Sequence, residues 1–312
     1  MVRWVVRYLF SLSLTAFVLL ALTASLPAAA AAHSTVTKWT VVTQPARLVN
    51  GAPVLFRVTT PKPVRTLSAN WLGHEIAFSF DASSKSWFAL AGVSLDTKPG
   101  TYPIELHAEV SSGPSAGSSA GQALSFEKQL RVARQSYPRH AVLTVPGRYT
   151  APSPEDQHQI EQDKETKAEA FKTLSPEREW EGSFAAPVTA EISDVFGSER
   201  VFNGSVQSTH FGLDFRVPGG TSVAAVNRGR VILARPMFYE GNFVVIDHGQ
   251  GLLTLYLHLS SFLVKEGDEV DKGQPIGLSG GTGRATGPHL HLALRWQGVY
   301  LDPQVLLKLN LP

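Results

Sequence analysis

The sequence predicts a mostly β protein with three parts: an N-terminal β-sandwich, a helical connector and a C-terminal domain of antiparallel strands. Short apolar runs separated by turn-forming residues fill the region up to residue 135, which is typical of a sandwich. A charged stretch bounded by serine–proline pairs follows and indicates a helix. Beyond residue 180, apolar and polar residues alternate with a period of two, which indicates strands with one buried face.

Residues 1–32 have the pattern of a secretory signal peptide. Arg3 and Arg7 form a positive segment, residues 9–23 are almost all apolar, and an alanine run ends just before His33. We expect cleavage there and an exported protein, periplasmic, cell-wall associated or secreted. An uncleaved anchor is the alternative, and it is disfavoured because the apolar run is shorter than the roughly 20 residues of a stable membrane span.

Composition excludes several classes of protein. The chain has no cysteine, which excludes disulfides, thiol catalysis and a lipid-modified cysteine. Arg3 and Arg7 account for the formal net charge of +2, so the remaining chain is neutral. A neutral chain has no broad electrostatic reason to bind nucleic acid, and we expect no such partner.

Residues 33–135 predict an immunoglobulin-like β-sandwich. Residues 96–102 resemble the tyrosine corner of immunoglobulin-like domains, with Tyr102 as its tyrosine. The low-complexity stretch 111–121 predicts a flexible hairpin loop. The strand-like runs are 54–58, 75–80, 87–90, 102–106 and 124–127.

Residues 136–179 predict a linker with a charged helix. Ser153 before a proline and an acid is a helix start, and Ser175 before a proline is a stop. Apolar residues are too sparse for a coiled coil. We expect an exposed spacer that docks lightly through Phe171 and Leu174.

Residues 180–312 predict three strands that carry histidines on one parity. The polar parity holds His210, Asp214, His258, His289 and His291. We expect the opposite, apolar parity to face the core and the histidines to face away from it. The apolar parity comprises Phe211, Leu213, Phe215 and Val217 in the first strand, Leu253, Leu255, Leu257 and Leu259 in the second, and Leu290, Leu292, Leu294 and Trp296 in the third.

This set of side chains suits a metal site. Zinc accepts imidazole nitrogen and carboxylate oxygen, and a catalytic zinc site has three protein ligands and an open position. Gly212 lies between His210 and Asp214, and we expect a side chain at 212 to project into the space that the ion needs. A histidine that binds no metal is then free for acid–base work.

The same region resembles the lysostaphin-type (LytM-like, β-lytic) zinc metallopeptidases, which cut peptide bonds in bacterial peptidoglycan. The motifs that match are His210-x-x-x-Asp214, Tyr256-x-His258 and Gly287-Pro288-His289-x-His291. The resemblance implies that His210, Asp214 and His291 bind one zinc ion per chain. It also implies catalytic roles for His258 and His289, whose division between base and oxyanion stabiliser stays open.

The resemblance therefore predicts an exported zinc metalloendopeptidase, a peptidoglycan hydrolase that cleaves peptide cross-links. The alternative is a catalytically silent wall-binding regulator of other cell-wall hydrolases. The bond cut stays open between diaminopimelate cross-links and glycine bridges, with specificity expected in loops 239–243 and 279–286. A further hypothesis is intramolecular inhibition, in which the N-terminal domain covers the site.

Several other polar residues have two interpretations. Tyr256 either packs or makes an active-site hydrogen bond. Arg284 and Arg295 either contact substrate carboxylates or lie on the surface, which is the default for arginine. We expect His248 to belong to a hairpin turn, and assign no function to His74, His107 or His140.

Overall fold

A computed structural model of the protein describes residues 38–110, 123–172 and 174–312. The predicted signal peptide and the predicted 111–121 loop lie outside these residues. The fold is mostly β, as the sequence predicts. None of the helices in the described ranges is long and apolar enough to cross a membrane.

Two sheets form the N-terminal part and share one apolar core. Phe56 of one sheet contacts Trp71 of the other edge-on, with ring centroids 5.5 Å apart. The Tyr102 hydroxyl donates to the Lys98 carbonyl at 2.8 Å, which is the bond expected of a tyrosine corner. The immunoglobulin-like assignment itself stays a prediction. The strands, in sheet orders β1-β3-β7-β6 and β2-β9-β8-β4-β5, are β1 (Thr40–Gln44), β2 (Leu48–Val49), β3 (Pro53–Thr59), β4 (Val64–Trp71), β5 (His74–Ala77), β6 (Ser79–Asp81), β7 (Ser86–Gly92), β8 (Gly100–Val110) and β9 (Ala123–Ala133).

The connector contains β10 (Arg139–Leu143), a 3-10 helix (Gly147–Tyr149) and helix α1 (Pro154–Ala170). Ser153 caps α1 as predicted, through a capping box with Asp156. The helix docks more firmly than we expected. Ile160 and Asp163 are buried, and the Asp163 carboxylate accepts a 2.6 Å hydrogen bond from the Phe238 amide.

The C-terminal part is built on an eight-stranded sheet, in order β11-β14-β22-β18-β17-β16-β20 with β23 paired to β22. A three-stranded sheet, β15-β21-β19, adds to it, and β12 and β13 pair with β10 of the connector. The elements are β11 (Ile192–Asp194), β12 (Glu199–Phe202), β13 (Val206–Thr209), β14 (Leu213–Phe215), β15 (Ser222–Ala224), β16 (Gly229–Met237), β17 (Gly241–Asp247), β18 (Leu252–Leu259), β19 (Ser261–Phe262), β20 (Glu269–Val270), β21 (Pro275–Leu278), β22 (Leu290–Trp296), β23 (Val299–Leu301) and α2 (Pro303–Leu306).

Both faces of the eight-stranded sheet are buried, and the expectation of one apolar and one polar face was wrong. Leu292 and Tyr256 belong to the core on one face, whereas Leu255 and Ala293 belong to a second cluster on the other. Residues after α1, including Phe171, pack against this second cluster. The connector therefore covers part of the face that we expected to carry the histidines and to lie away from the core.

His248 is a buried histidine that makes the fold sensitive to pH. Its Nδ1 donates to the Arg228 carbonyl and its Nε2 accepts from the Thr254 hydroxyl, at 2.6 and 2.7 Å. Burial lowers its pKa from 6.5 to about 4. The unfolded chain therefore takes up a proton at higher pH than the folded one, and stability contributed by neutral His248 is lost as pH falls from 6.5 towards 4.

We expect wild type to lose about 2 kcal/mol more unfolding free energy than His248→Gln between about pH 7 and pH 5. Urea denaturation of both proteins at the two pH values measures this difference. The other buried histidines titrate in both proteins, so their contributions cancel. If the unfolding free energies of the two proteins depended equally on pH, a lowered pKa of His248 in the folded protein would be contradicted.

Candidate metal centre

Three donor atoms form a small triangle at the centre of the C-terminal sheet. The His210 Nε2 atom lies 3.0 Å from His291 Nδ1 and 3.1 Å from Asp214 Oδ1, and His291 Nδ1 lies 2.8 Å from that oxygen. Donors about 2.0–2.1 Å from a tetrahedral zinc ion are separated from one another by about 3.3 Å. All three residues are buried. The triangle thus has the size and chemistry that a metal ion requires.

Strand pairing brings these residues together. Asp214 on β14 is directly opposite His291 on β22, so the two side chains share one face of the sheet. His210 lies just before β14. Its amide donates to the Ser198 carbonyl at 2.9 Å, and its carbonyl accepts from the Gly197 amide at 2.7 Å. The structure thus brings the three predicted ligand side chains together.

Gly212 is required for a different reason from the one we expected. A Cβ at 212 would lie 2.5 Å from Cε1 of His291, closer still to its Nε2, and 2.7 Å from the Leu292 carbonyl oxygen. The space beside Gly212 is therefore filled by the His291 imidazole ring rather than by an ion. Glycine lets that ring turn its Nδ1 towards Asp214.

The protonation states suit metal binding. Burial lowers the pKa of His291 to about 4, which keeps its imidazole neutral. Burial acts to raise the pKa of Asp214, but the adjacent His210 and His291 side chains hold it well below its usual range. Neutral imidazole and ionised carboxylate are the forms that bind metals.

Arg200 and Asp194 lie behind Asp214 and hold its carboxylate in place, a role that the sequence did not suggest. The Arg200 guanidinium donates to Asp214 Oδ2 at 2.5 Å and pairs with the Asp194 carboxylate, which leaves Oδ1 of Asp214 facing the two histidines. His210 Nδ1 donates to the Val195 carbonyl at 2.8 Å, which leaves Nε2 unprotonated. An arginine on β12 has no sequence pattern that would link it to Asp214.

We expect Arg200→Gln to weaken metal affinity about 10- to 100-fold, as is typical when an outer-shell partner is lost. The reason is that Asp214 Oδ2 would lose its charged donor. Competition with a chromophoric chelator measures the affinity. Arg47→Gln, at an exposed position of the N-terminal sandwich, is the matched control. Unchanged affinity in Arg200→Gln would rule out this orienting role.

His258 reaches the site through an irregularity that alternation does not predict. Leu257, not His258, is opposite His291, so regular pairing would direct His258 to the other face with Tyr256. His258 instead has φ +63, and the β17–β18 register shifts between Asn242 and Val244, as in a β-bulge. Its ring centre consequently lies 6.0 Å from that of His291.

The His258 and His289 rings lie side by side next to the triangle, with centres 4.9 Å apart. His258 Nδ1 donates to the Thr282 carbonyl and His289 Nδ1 to the Gly287 carbonyl, each at 2.8 Å. A carbonyl can only accept, so Nδ1 carries a hydrogen in both rings, and Nε2 is the acceptor atom whenever the ring is neutral. Burial, together with His289 and His291, lowers the pKa of His258 to about 3.

Two grooves meet at these histidines. The first groove, of about 230 Å³, is lined by Phe211, Leu257 and Tyr300 among others. The second groove, of about 280 Å³, is lined by polar residues that include Asp214 and His289. His258, Arg200, Phe202 and Arg284 line both grooves.

Phe211 was wrongly predicted to be buried. It is 41% exposed and stacks on Tyr300, with ring centres 5.2 Å apart. The leucines at 255 and 257, predicted to oppose the histidines, line the first groove beside His291. A strand buried on both faces carries apolar residues on both parities, which explains the error for the two leucines, whereas Phe211 lies outside the strand, before β14 begins.

The remaining polar residues divide between packing and the site. Tyr256 is fully buried, and its hydroxyl accepts from the Val226 amide at 2.9 Å, so it packs away from the triangle. His248 lies beside the β17–β18 turn, as predicted. The Arg295 guanidinium covers the Phe171 ring at 4.4 Å. Arg284 lies in the grooves rather than on the open surface.

Residues 208–303, which contain all five predicted site residues, match the sequence profile of Peptidase family M23. This range is therefore similar to M23 peptidase domains. Peptidoglycan DD-endopeptidase ShyA of Vibrio cholerae is 50% identical over 103 residues, which are 33% of this chain and 23% of that protein. DD-carboxypeptidase/endopeptidase Mpg of Neisseria meningitidis is 44% identical over 94 residues, 30% of this chain and 22% of that protein.

The fold likeness extends beyond residues 208–303. A crystal structure of a candidate M23 peptidase from Pseudomonas aeruginosa matches with TM-score 0.62 and 28% identity, over 84% of this chain and 95% of that one. By contrast, the chain spans only about a fifth of the length of the curated relatives it matches. The family and the donor triangle together indicate a metal cofactor.

Proposed function

We propose that the protein is an exported zinc-dependent endopeptidase that hydrolyses peptide cross-links of bacterial peptidoglycan. The observation that carries the proposal is the convergence of His210, Asp214 and His291 within an M23 domain. The names of the similar proteins, which describe peptidoglycan endopeptidases, support the substrate. The signal-like residues 1–32 support export.

His210, Asp214 and His291 would hold one zinc ion per chain. When bound, zinc polarises a scissile carbonyl and lowers the pKa of a water molecule to about 7. Zinc is the metal we propose because two imidazoles and one carboxylate leave a tetrahedral position open.

His289 is proposed as the general base. Its Nε2, the acceptor atom of the neutral ring, lies 3.8 Å from Asp214 Oδ1, at the edge of the triangle, where it can accept the proton of an attacking water. His258 has its Nδ1 hydrogen committed to Thr282. Its Nε2 is therefore the atom left for the substrate. The negative charge of a tetrahedral oxyanion would raise the pKa of His258 and favour a proton from solvent on Nε2, which then donates to that oxygen.

The regulator alternative requires that hydrolysis be lost although all five side chains are present and adjacent.

The N-terminal sandwich does not line either groove in its described range, 38–110 and 123–133. The lining residues N-terminal to residue 180 are Leu143 and Lys167, both of the connector. Inhibition by the N-terminal domain stays a hypothesis.

The test is a digest of purified peptidoglycan, diaminopimelate-type and glycine-bridged in parallel, with mass spectrometry of the released fragments. We expect cleavage that stops when a chelator removes the metal and returns when zinc is added. Heat-inactivated protein controls for contaminating hydrolases. Bound zinc without cleavage of either wall would favour the regulator instead.

A further inference from the structure

Arg284 presents a positive charge at the junction of the two grooves. Among the described residues, Arg200 pairs with Asp194 and Asp214, and Lys167 pairs with Glu240. In the same ranges no carboxylate lies within ion-pair distance of Arg284. The charges of Arg200 and Lys167 are thus neutralised locally, whereas those of Arg284 and of the exposed Arg216, in the second groove, are not neutralised within the described ranges; Arg284 alone of these two lines both grooves.

Two aromatic rings hold the Arg284 guanidinium. Its central carbon lies 4.6 Å from the ring centre of Phe202 and 4.6 Å from that of Tyr239. Such stacking occupies the faces of the guanidinium and leaves its N–H donors available at the edge. The side chain is half-buried, and burial lowers its pKa from the usual arginine value.

The backbone around Arg284 is fixed by close packing of two loops. The Arg284 amide donates to the Tyr239 carbonyl at 2.9 Å. Gly283 has φ +73, and a Cβ there would lie 2.6 Å from the Tyr239 carbonyl oxygen and 2.8 Å from the Gly241 Cα. These are loops 239–243 and 279–286, in which we expected specificity to reside. A fixed side chain loses little entropy when it binds a ligand.

A partly desolvated guanidinium that has no carboxylate within ion-pair distance gains binding free energy from an anion, and most from an anion whose shape matches its N–H donors. Carboxylates match its paired N–H donors and form two parallel hydrogen bonds. In a diaminopimelate cross-link, the nitrogen of the scissile amide is bonded to a carbon that also carries a carboxylate. Glycine bridges have no such group.

We propose that Arg284 binds a substrate carboxylate adjacent to the scissile amide and thereby selects diaminopimelate-type cross-links over glycine bridges. The proposal rests on the proposed function, because it assumes that cross-linked peptides enter the grooves. It makes Arg284 a specificity residue that neither binds the metal nor transfers a proton.

The experiment uses two D-alanyl–diaminopimelate cross-linked muropeptide dimers that differ only in whether the carboxylate beside the scissile bond is free or amidated. We measure kcat/KM for each dimer with the zinc-loaded protein. Wild type should prefer the free carboxylate by about 10- to 100-fold, the usual range for a hydrogen-bonded charged group. Arg284→Gln should lose this preference, with the loss mainly in KM, and Arg284→Lys should keep part of it.

Arg131→Gln, at an exposed position on β9, is the control and should keep the wild-type preference. Equal cleavage of both dimers by wild type, or an unchanged preference in Arg284→Gln, would overturn the inference while the proposed function stands. If wild type cleaves neither dimer nor whole peptidoglycan, the proposed function itself fails. Zinc content and thermal unfolding show whether Arg284→Gln is folded. If it is not, the preference of the wild-type protein between the two dimers still tests whether a free carboxylate beside the scissile bond is recognised.

Discussion

An alanine at position 212 is expected to abolish tight metal binding while most of the fold persists. The new methyl group would lie 2.5 Å from Cε1 of His291 and 2.7 Å from the Leu292 carbonyl oxygen. Carbon atoms in contact lie about 3.5–4.0 Å apart, so the ring must move by about 1 Å. The strand carbonyl cannot move as easily, because Leu292 pairs with both Leu213 and Tyr256.

A shift of this size would take His291 Nδ1 out of the donor triangle, whose edges are 2.8–3.1 Å. We expect metal affinity to fall by at least about 100-fold, since loss of geometry at a ligand exceeds the 10- to 100-fold effect of an outer-shell change. Overpacking should also cost about 1–3 kcal/mol of unfolding free energy. Metal titration and urea denaturation measure the two effects separately.

Gly287→Ala is the matched control for Gly212→Ala. Gly287 lies near the same site, yet a Cβ there would have no neighbour within 4 Å. It should bind metal like wild type. If Gly212→Ala also binds metal with wild-type affinity, then the close approach of the His291 ring is not what requires glycine at this position.

The proximity of Asp214 and His291 could be predicted because both occupy regular strands. Asp214 and His291 are opposite one another on paired strands, so alternation correctly assigns both to one face. The helix start was predictable for a similar reason. The cap at Ser153 is a local interaction between residues three positions apart, and such interactions are visible in sequence.

The position of His258 could not be derived from alternation. A period of two assumes regular pairing, and the bulge with φ +63 at His258 breaks that pairing. The sequence Leu257-His258-Leu259 contains no glycine or asparagine to signal a left-handed residue. A left-handed conformation costs a residue of this type about 1–3 kcal/mol, which the surrounding contacts must offset. The family motif supplied what the physical pattern did not.

Burial of the second face of the sheet also could not be predicted from the sequence pattern. The cover comes from α1 and Phe171, whose apolar residues are too few to indicate packing. Asp163 docks through its carboxylate, and Lys167 docks through an ion pair with Glu240. Polar docking of this kind depends on the partner's position in space, so a hydrophobic pattern does not predict it.

Replacement of His289 by alanine is expected to remove nearly all hydrolysis while metal binding is retained. His289 is not part of the triangle, but its Nε2 is close enough to Asp214, at 3.8 Å, to reach a water molecule in the open position. Loss of a general base costs about 10²- to 10⁴-fold in rate. His289 is partly exposed, so added imidazole should enter the site and restore part of the activity.

His258→Asn is the informative companion, because asparagine tolerates the left-handed backbone that alanine would strain. We expect a loss of about 10²- to 10³-fold without imidazole rescue, since His258 is 6% exposed. His107→Ala, exposed on β8, controls for histidine removal. Single-turnover cleavage rates, normalised to bound zinc, give the comparison. Rescue of His258→Asn but not of His289→Ala would exchange the two roles, and wild-type rates in His289→Ala would exclude it as the base.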